Sequence, residues 1–173
     1  DAKEGVASFA LSKDGRWLVY RSGKAGEEQL YRLPMEGIDT AKADQLTKQD
    51  GGVGAWAWAP DGRRIYFLGP EKADKDEKQR RDKKFTVDIR NAETPLACLW
   101  ALDVDSKKAV QLTTDASYTV ADIVISDDSR WVGFRGIASD RYKRNVTEQN
   151  INSDPYLLEA ATGQIERLVT NAE

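Results

Sequence analysis

An all-β chain of three like units, each of four short antiparallel strands, is the fold this sequence predicts: a partial β-propeller. Three observations carry that expectation. Aligned on Asp14, Asp61 and Asp128, the chain repeats the same apolar columns three times. Each repeat then closes with a second apolar run and a short tail. The repeats differ in length chiefly through one internal connection.

The first two strands of each unit come from the columns around the aspartate. Eight residues upstream stand Val6, Val53 and Val120; five upstream, Phe9, Trp56 and Ile123; three upstream, Leu11, Trp58 and Ile125. Four residues downstream stand Leu18, Ile65 and Val132, and six downstream Tyr20, Phe67 and Phe134. Columns two residues apart share one face of a strand. Between them lie Asp14-Gly15, Asp61-Gly62 and Asp128-Ser129, where glycine accepts the positive φ of a tight hairpin and serine fits less easily. Asp14, Gly15, Asp61, Gly62 and Asp128 are therefore structural turn formers. An acidic metal ring is rejected, because the three turns belong to different blades.

The third strands read Gln29-Leu30-Tyr31-Arg32-Leu33, Leu99-Trp100-Ala101-Leu102 and Tyr156-Leu157-Leu158. The fourth read Gln45-Leu46-Thr47, Gln111-Leu112-Thr113 and Arg167-Leu168-Val169-Thr170. The blades so defined cover residues 6–47, 53–113 and 120–170, within one partial propeller over residues 1–173. The second-to-third strand connections vary: Ser22 to Glu28, then a charged insertion at 70–95, then Gly136 to Asp154. In the insertion, Asp76/Arg80 and Glu77/Arg81 are spaced for a short exposed helix. Mixed charge without apolar periodicity fits a disordered segment equally well. Phe85-Thr86-Val87-Asp88-Ile89 alternates and suits a small extra strand.

Composition narrows function by exclusion. The chain has 173 residues, no histidine, one cysteine (Cys98) and a net charge of −3. Without histidine, no Ser-His-Asp or Cys-His mechanism and no His-ligated metal can operate in this chain alone. A single cysteine excludes an internal disulfide and a Cys-rich zinc site. No cofactor is expected. The charge gives no basic field for nucleic acid, and in the basic run 78–84 the acids are interleaved and stacking aromatics are missing. No apolar run approaches the ~18–20 residues of a membrane span, and no signal peptide is visible. The opening Asp1-Ala2-Lys3 lacks a Met, which points to material removed upstream. The compartment stays open between periplasmic or secreted and cytoplasmic.

The lines SKDGRWLVY, APDGRRIYF and SDDSRWVGF resemble the TolB-type propeller repeat. The second unit is more particular. Its repeat is followed by Gly69-Pro70 and the charged insertion, then Leu99-Trp100-Ala101-Leu102-Asp103-Val104 and Gln111-Leu112-Thr113. This order resembles the N-terminal propeller of prolyl-oligopeptidase-family serine peptidases, especially acylaminoacyl-peptidase and dipeptidyl-aminopeptidase-like members. The resemblance implies a propeller capping an α/β-hydrolase catalytic domain of the same parent chain and limiting access to short peptide substrates. Of the compartments left open, the periplasm is slightly preferred. The nucleophile elbow Gly-x-Ser-x-Gly is absent from this sequence, so the catalytic half is missing rather than degenerate. The rival reading is a TolB-like propeller that binds proteins and has no hydrolase.

Within that resemblance, Glu27-Glu28 is similar to the glutamate pair with which dipeptidyl peptidases hold a free amino terminus, since two carboxylates suit an ammonium. The aromatic-rich context of that motif is absent, and a solvated acidic loop is the preferred reading. Arg141, Tyr142, Lys143 and Arg144 form a basic-aromatic cluster able to meet a substrate carboxylate or the hydrolase; a solvated loop is again the plainer account. Trp56 and Trp58 are read as blade packing rather than a sugar site. Trp17 and Trp131 share a column with Arg64, which marks it as partly exposed. Finally, three blades do not close a ring. The open arc is expected to leave Phe9/Leu11 bare on one side and Val132/Phe134 on the other. Self-association, contact with chain outside these residues, or a poorly ordered end blade would follow.

Overall fold

The computed structural model describes residues 5–71, 96–139 and 153–169. Their twelve strands make three four-stranded antiparallel sheets. The first sheet holds β1 (Val6–Leu11), β2 (Trp17–Ser22), β3 (Gln29–Pro34) and β4 (Asp44–Gln45). The second holds β5 (Trp56–Trp58), β6 (Arg64–Pro70), β7 (Ala97–Asp103) and β8 (Ala109–Gln111). The third holds β9 (Tyr118–Ile125), β10 (Trp131–Ala138), β11 (Ser153–Glu159) and β12 (Ile165–Arg167). Every sheet is a meander in sequence order, so the chain is all-β and propeller-like. Of the insertion, the spacing pairs at 76–81 and the strand at Phe85–Ile89 lie outside the described residues, as do Arg141–Arg144 and Thr170.

The fourth strands stop two or three residues sooner than the tail pattern suggests. A side chain replaces the ladder there. The Leu30 amide donates to Thr47 Oγ1 at 2.9 Å, and the Leu99 amide to Thr113 Oγ1 at 2.8 Å. Gln45 Nε2 and Gln111 Nε2 each close on the carbonyl of that threonine at 2.8 Å. Both threonines are buried. The repeated Gln-Leu-Thr is thus a cap on the edge of the third strand that faces the fourth, supplying a hydroxyl where a backbone carbonyl would otherwise be needed.

The turns show why the aspartate repeats. Ser12 Oγ donates to Asp14 Oδ1 at 2.5 Å and accepts from the Trp17 amide at 2.9 Å; the Arg16 amide donates to Asp14 Oδ1 at 3.0 Å. Ser126, Asp128, Arg130 and Trp131 reproduce the set at 2.6, 3.0 and 2.9 Å. Ala59 stands in for the serine in the second unit, where only the Arg63 amide to Asp61 Oδ1 bond, 2.9 Å, recurs. Gly15 and Gly62 take φ of 69° and 75°, and Ser129 is forced to 60°. Ser129 gains something in exchange. Its hydroxyl accepts the Asp61 amide of the preceding blade at 3.0 Å.

Two apolar clusters lie between the sheets. Ile65 and Phe67 of β6 face the first blade with Val19, Leu30, Leu46 and Val53, while Trp56 and Trp58 are half-buried against the same cluster. The alternate residues Tyr66 and Leu68 face the third blade with Val120, Val132, Phe134 and Leu158. Polar ties cross the same seams. Trp56 Nε1 donates to Ser8 Oγ at 2.7 Å, and Arg64 Nη1 to the Ala160 carbonyl at 2.7 Å.

The arc has one bare face as expected and one that is different. Phe9 and Leu11 are 73% and 55% exposed. Val132 and Phe134, expected bare, are 0% and 4% exposed, because their columns face the preceding blade and blade two covers them. The open face of blade three carries Val124, 68% exposed, with Gly133 and an Arg135–Asp122 ion pair of 2.8 Å.

Candidate functional site

A meander sorts its connections by end. The β1–β2, β5–β6 and β9–β10 turns lie at one end of their sheets, together with the β3–β4, β7–β8 and β11–β12 turns. The β2–β3, β6–β7 and β10–β11 connections lie at the other, with the links between blades. Glu27 and Glu28 belong to the second end. Glu28 Oε2 accepts the Gly26 amide at 2.8 Å, and the Glu28 carbonyl accepts the Val53 amide at 2.7 Å. The Glu27 amide donates to the Lys24 carbonyl at 2.9 Å. Glu28 therefore spends one carboxylate oxygen on its own loop and fastens that loop to blade two. The fit is close. Gly52 has φ of 80°, and a Cβ there would lie 2.9 Å from the Gly26 carbonyl oxygen. Arg141 and Tyr142 lie in the β10–β11 connection, outside the described residues.

At the turn end, a cleft of about 420 Å³ opens between blades one and two, with Asp14, Arg16, Trp17, Arg32, Trp58 and Arg63 among its lining. Sequence reading marked Trp17 as partly exposed without assigning it a site, and passed over Arg32. The Arg32 guanidinium lies 4.3 Å over the Trp17 ring and its Nη2 reaches Asp44 Oδ2 at 3.0 Å. Lys107, from the β7–β8 turn, also meets Asp44. Hydrogen bonds from Lys107 and Arg32 hold the Asp44 carboxyl below its ordinary range. Asp14 is brought down to about 2, chiefly by the Ser12 hydroxyl and then by the amide and guanidinium of Arg16. The one available signal was the shared column: Trp17 and Trp131 are half-buried and Arg64 is exposed.

Among the described residues neither end brings together a nucleophile and a base. Burial pushes the Cys98 thiol up, with the Glu71 charge adding to it, the opposite of what a nucleophile needs. Among the described residues no group of three acidic or cysteine side chains is placed to hold a metal, and no helix is long and apolar enough to cross a membrane.

No family model matches the chain, and no curated protein matches it. Solved structures do. TolB from Acinetobacter baumannii is 14% identical, with a TM-score of 0.61 over 98% of this chain and 33% of that one. Oligogalacturonate lyase from Vibrio parahaemolyticus is 14% identical, TM-score 0.64, over 96% and 41%. Acylaminoacyl peptidase from Pyrococcus horikoshii is 14% identical, TM-score 0.60, over 95% and 25%. The chain thus spans a quarter to about two fifths of these proteins. At such identity the likeness is one of fold: this is a partial β-propeller, a module that recurs in TolB, in a lyase and in peptidases.

Proposed function

We propose that the chain is the non-catalytic propeller portion of a prolyl-oligopeptidase-type serine peptidase. It packs on an α/β-hydrolase domain of the same parent chain and restricts that domain to short peptides. The supporting observation is the asymmetry of the two ends. The two longest connections, 71–96 and 139–152, both leave their sheets at the end that carries Glu27 and Glu28, whereas the connections at the opposite end run from five residues to the nine of 35–43. An end dressed with long, charged connections is suited to cover a second domain and to meet a peptide's charged termini. Glu27 and Glu28 would face the amino end, Arg141 and Tyr142 the carboxylate. The fold shared with the acylaminoacyl peptidase agrees with this reading.

The test is fluorophosphonate labelling of the full-length parent, alongside assay of this chain on aminoacyl and dipeptidyl chromogenic amides. The parent is expected to be labelled on a serine outside these residues, and this chain to show no turnover. A parent with no labelled serine and no Gly-x-Ser-x-Gly would refute the peptidase reading. The second reading, a TolB-like binding module without a hydrolase, is favoured by the likeness to TolB and would then take its place.

A further inference from the structure

Seven residues past each turn aspartate stand Arg21, Leu68 and Arg135. This column faces the blade that follows, and both internal junctions show it. At the first, Arg21 Nη1 donates to the Gly54 carbonyl at 2.6 Å and to the Val53 carbonyl at 3.2 Å, just ahead of β5. At the second, Leu68 is buried with Tyr118, Val120 and Phe134 of the third blade. Arg135 occupies the same register: it sits opposite Pro155, as Arg21 sits opposite Leu30 and Leu68 opposite Leu99. The Asp122 carboxylate steadies its guanidinium at 2.8 Å, and the side chain is 31% exposed on the open face of blade three. Gly133 stands where Val19 and Tyr66 stand in the other blades, and the Val124 side chain lies over it, 2.8 Å from where a Cβ would be.

We infer that Arg135 is the clasp by which blade three holds a fourth blade of the same repeat, belonging to the same polypeptide, through two successive carbonyls ahead of that blade's first strand. The occupant's chemistry is defined by the first junction: a strand entry offering two carbonyls, followed by a large apolar face such as Trp56, Trp58, Ile65 and Phe67 present to blade one. Val53 follows Thr47 by six residues and Val120 follows Thr113 by seven. A charged donor on two backbone carbonyls is among the stronger hydrogen-bonding arrangements. The inference needs only the propeller fold, and stands whether the parent is a peptidase or a binding module.

The experiment places Arg21→Ala, Arg135→Ala, Arg135→Lys and Asp122→Asn in the full-length parent, with the two alanine changes repeated in the 173-residue chain. Amide exchange and urea midpoints are read in each. In the parent, Arg135→Ala is expected to speed exchange at the third-to-fourth blade junction roughly tenfold. Arg135→Lys should be intermediate, and Asp122→Asn smaller in effect than Arg135→Ala. In the 173-residue chain, Arg21→Ala should lower the midpoint and Arg135→Ala should leave it unchanged. Unchanged exchange in the Arg135→Ala parent overturns the inference. So does an Asp122→Asn effect equal to it, or a loss in the short chain as large as that of Arg21→Ala, since Arg135 would then act inside its own blade. A dimer of the short chain that Arg135→Ala abolishes would make the occupant a second copy, and a reading frame with no further repeat would remove the occupant altogether. Either result also rejects it.

Discussion

Thr113→Val is the sharpest test of how these blades are held. The substitution keeps the side-chain volume and removes the hydroxyl that accepts the Leu99 amide at 2.8 Å. Leu99 is wholly buried and Thr113 is 2% exposed, so no water is at hand to replace the bond. An orphaned buried amide costs about 1–3 kcal/mol. For a chain of this length each kcal/mol moves Tm by about 2–4 °C, so a central value of about 2 kcal/mol means a fall of about 4–8 °C. Two controls separate the bond from the packing. Thr113→Ser keeps the hydroxyl and loses one buried methyl, about 0.8 kcal/mol. Thr114→Val, at the exposed neighbouring position, is expected within about 0.5 kcal/mol of the parent. Thr47→Val should repeat the result in the first blade, where the Leu30 amide depends on Thr47 Oγ1 at 2.9 Å. Urea melts and thermal scans of the five proteins are the assay. If Thr113→Val matches Thr114→Val, or if Thr113→Ser is the more damaging of the two changes at 113, the hydroxyl is not what holds the third strand's edge.

Three further outcomes follow from the same geometry. Ser129→Ala should cost about 1 kcal/mol more than Ser129→Gly, because both lose the bond to the Asp61 amide but only alanine keeps the left-handed strain that glycine relieves; paired urea midpoints decide it. Phe67→Ala, which empties a fully buried site stacked on Trp100, should cost roughly 3–5 kcal/mol, against at most about 0.5 kcal/mol for Glu27→Ala in its exposed loop, and equal melting shifts would contradict the assignment. The Asp14 carboxyl, at about 2 when folded and near 3.8 ordinarily, contributes stability that is present above pH 4 and lost as pH falls toward 2, so Asp14→Asn should flatten the acid limb of the stability curve in that window.

Much of this architecture is legible in the chain because each unit repeats the same solution. The columns at Phe9, Trp56 and Ile123 and their partners mark the first two strands, and Asp-Gly marks the turn. What is not legible is the work done by side chains that look ordinary. Gln-Leu-Thr reads as a polar strand end, and only the geometry shows its hydroxyl standing in for a carbonyl. Ser129 reads as a poor fit for a tight hairpin, and the reason for it, a bond to another blade, lies 68 residues away. Arg32 and Trp17 carry no motif. Their cleft exists because two turns from adjacent blades are brought side by side, which no local pattern encodes.

The bare faces teach a different point, since the error there lay in the inference and not in missing information. Phe9 pairs directly with Tyr20, and Ile123 directly with Phe134. The columns three and five residues before the aspartate therefore share a face with those four and six residues after it, in every blade. Blades that repeat around an arc all present that face in the same sense. If it is bare at the front of blade one, as the exposure of Phe9 and Leu11 shows, it must be covered in blade three, as Val132 and Phe134 are. The last blade can only be bare on its opposite columns, those of Val124, Gly133 and Arg135. An arc of this kind has a large, apolar leading face and a trailing face on which Val124 lies over Gly133, with a charge at its edge. The junction between blades one and two joins a matching pair, Trp56, Trp58, Ile65 and Phe67 against Val19, Leu30 and Arg21. The same complementarity that holds the described blades together thus specifies what each open end of the arc is shaped to receive.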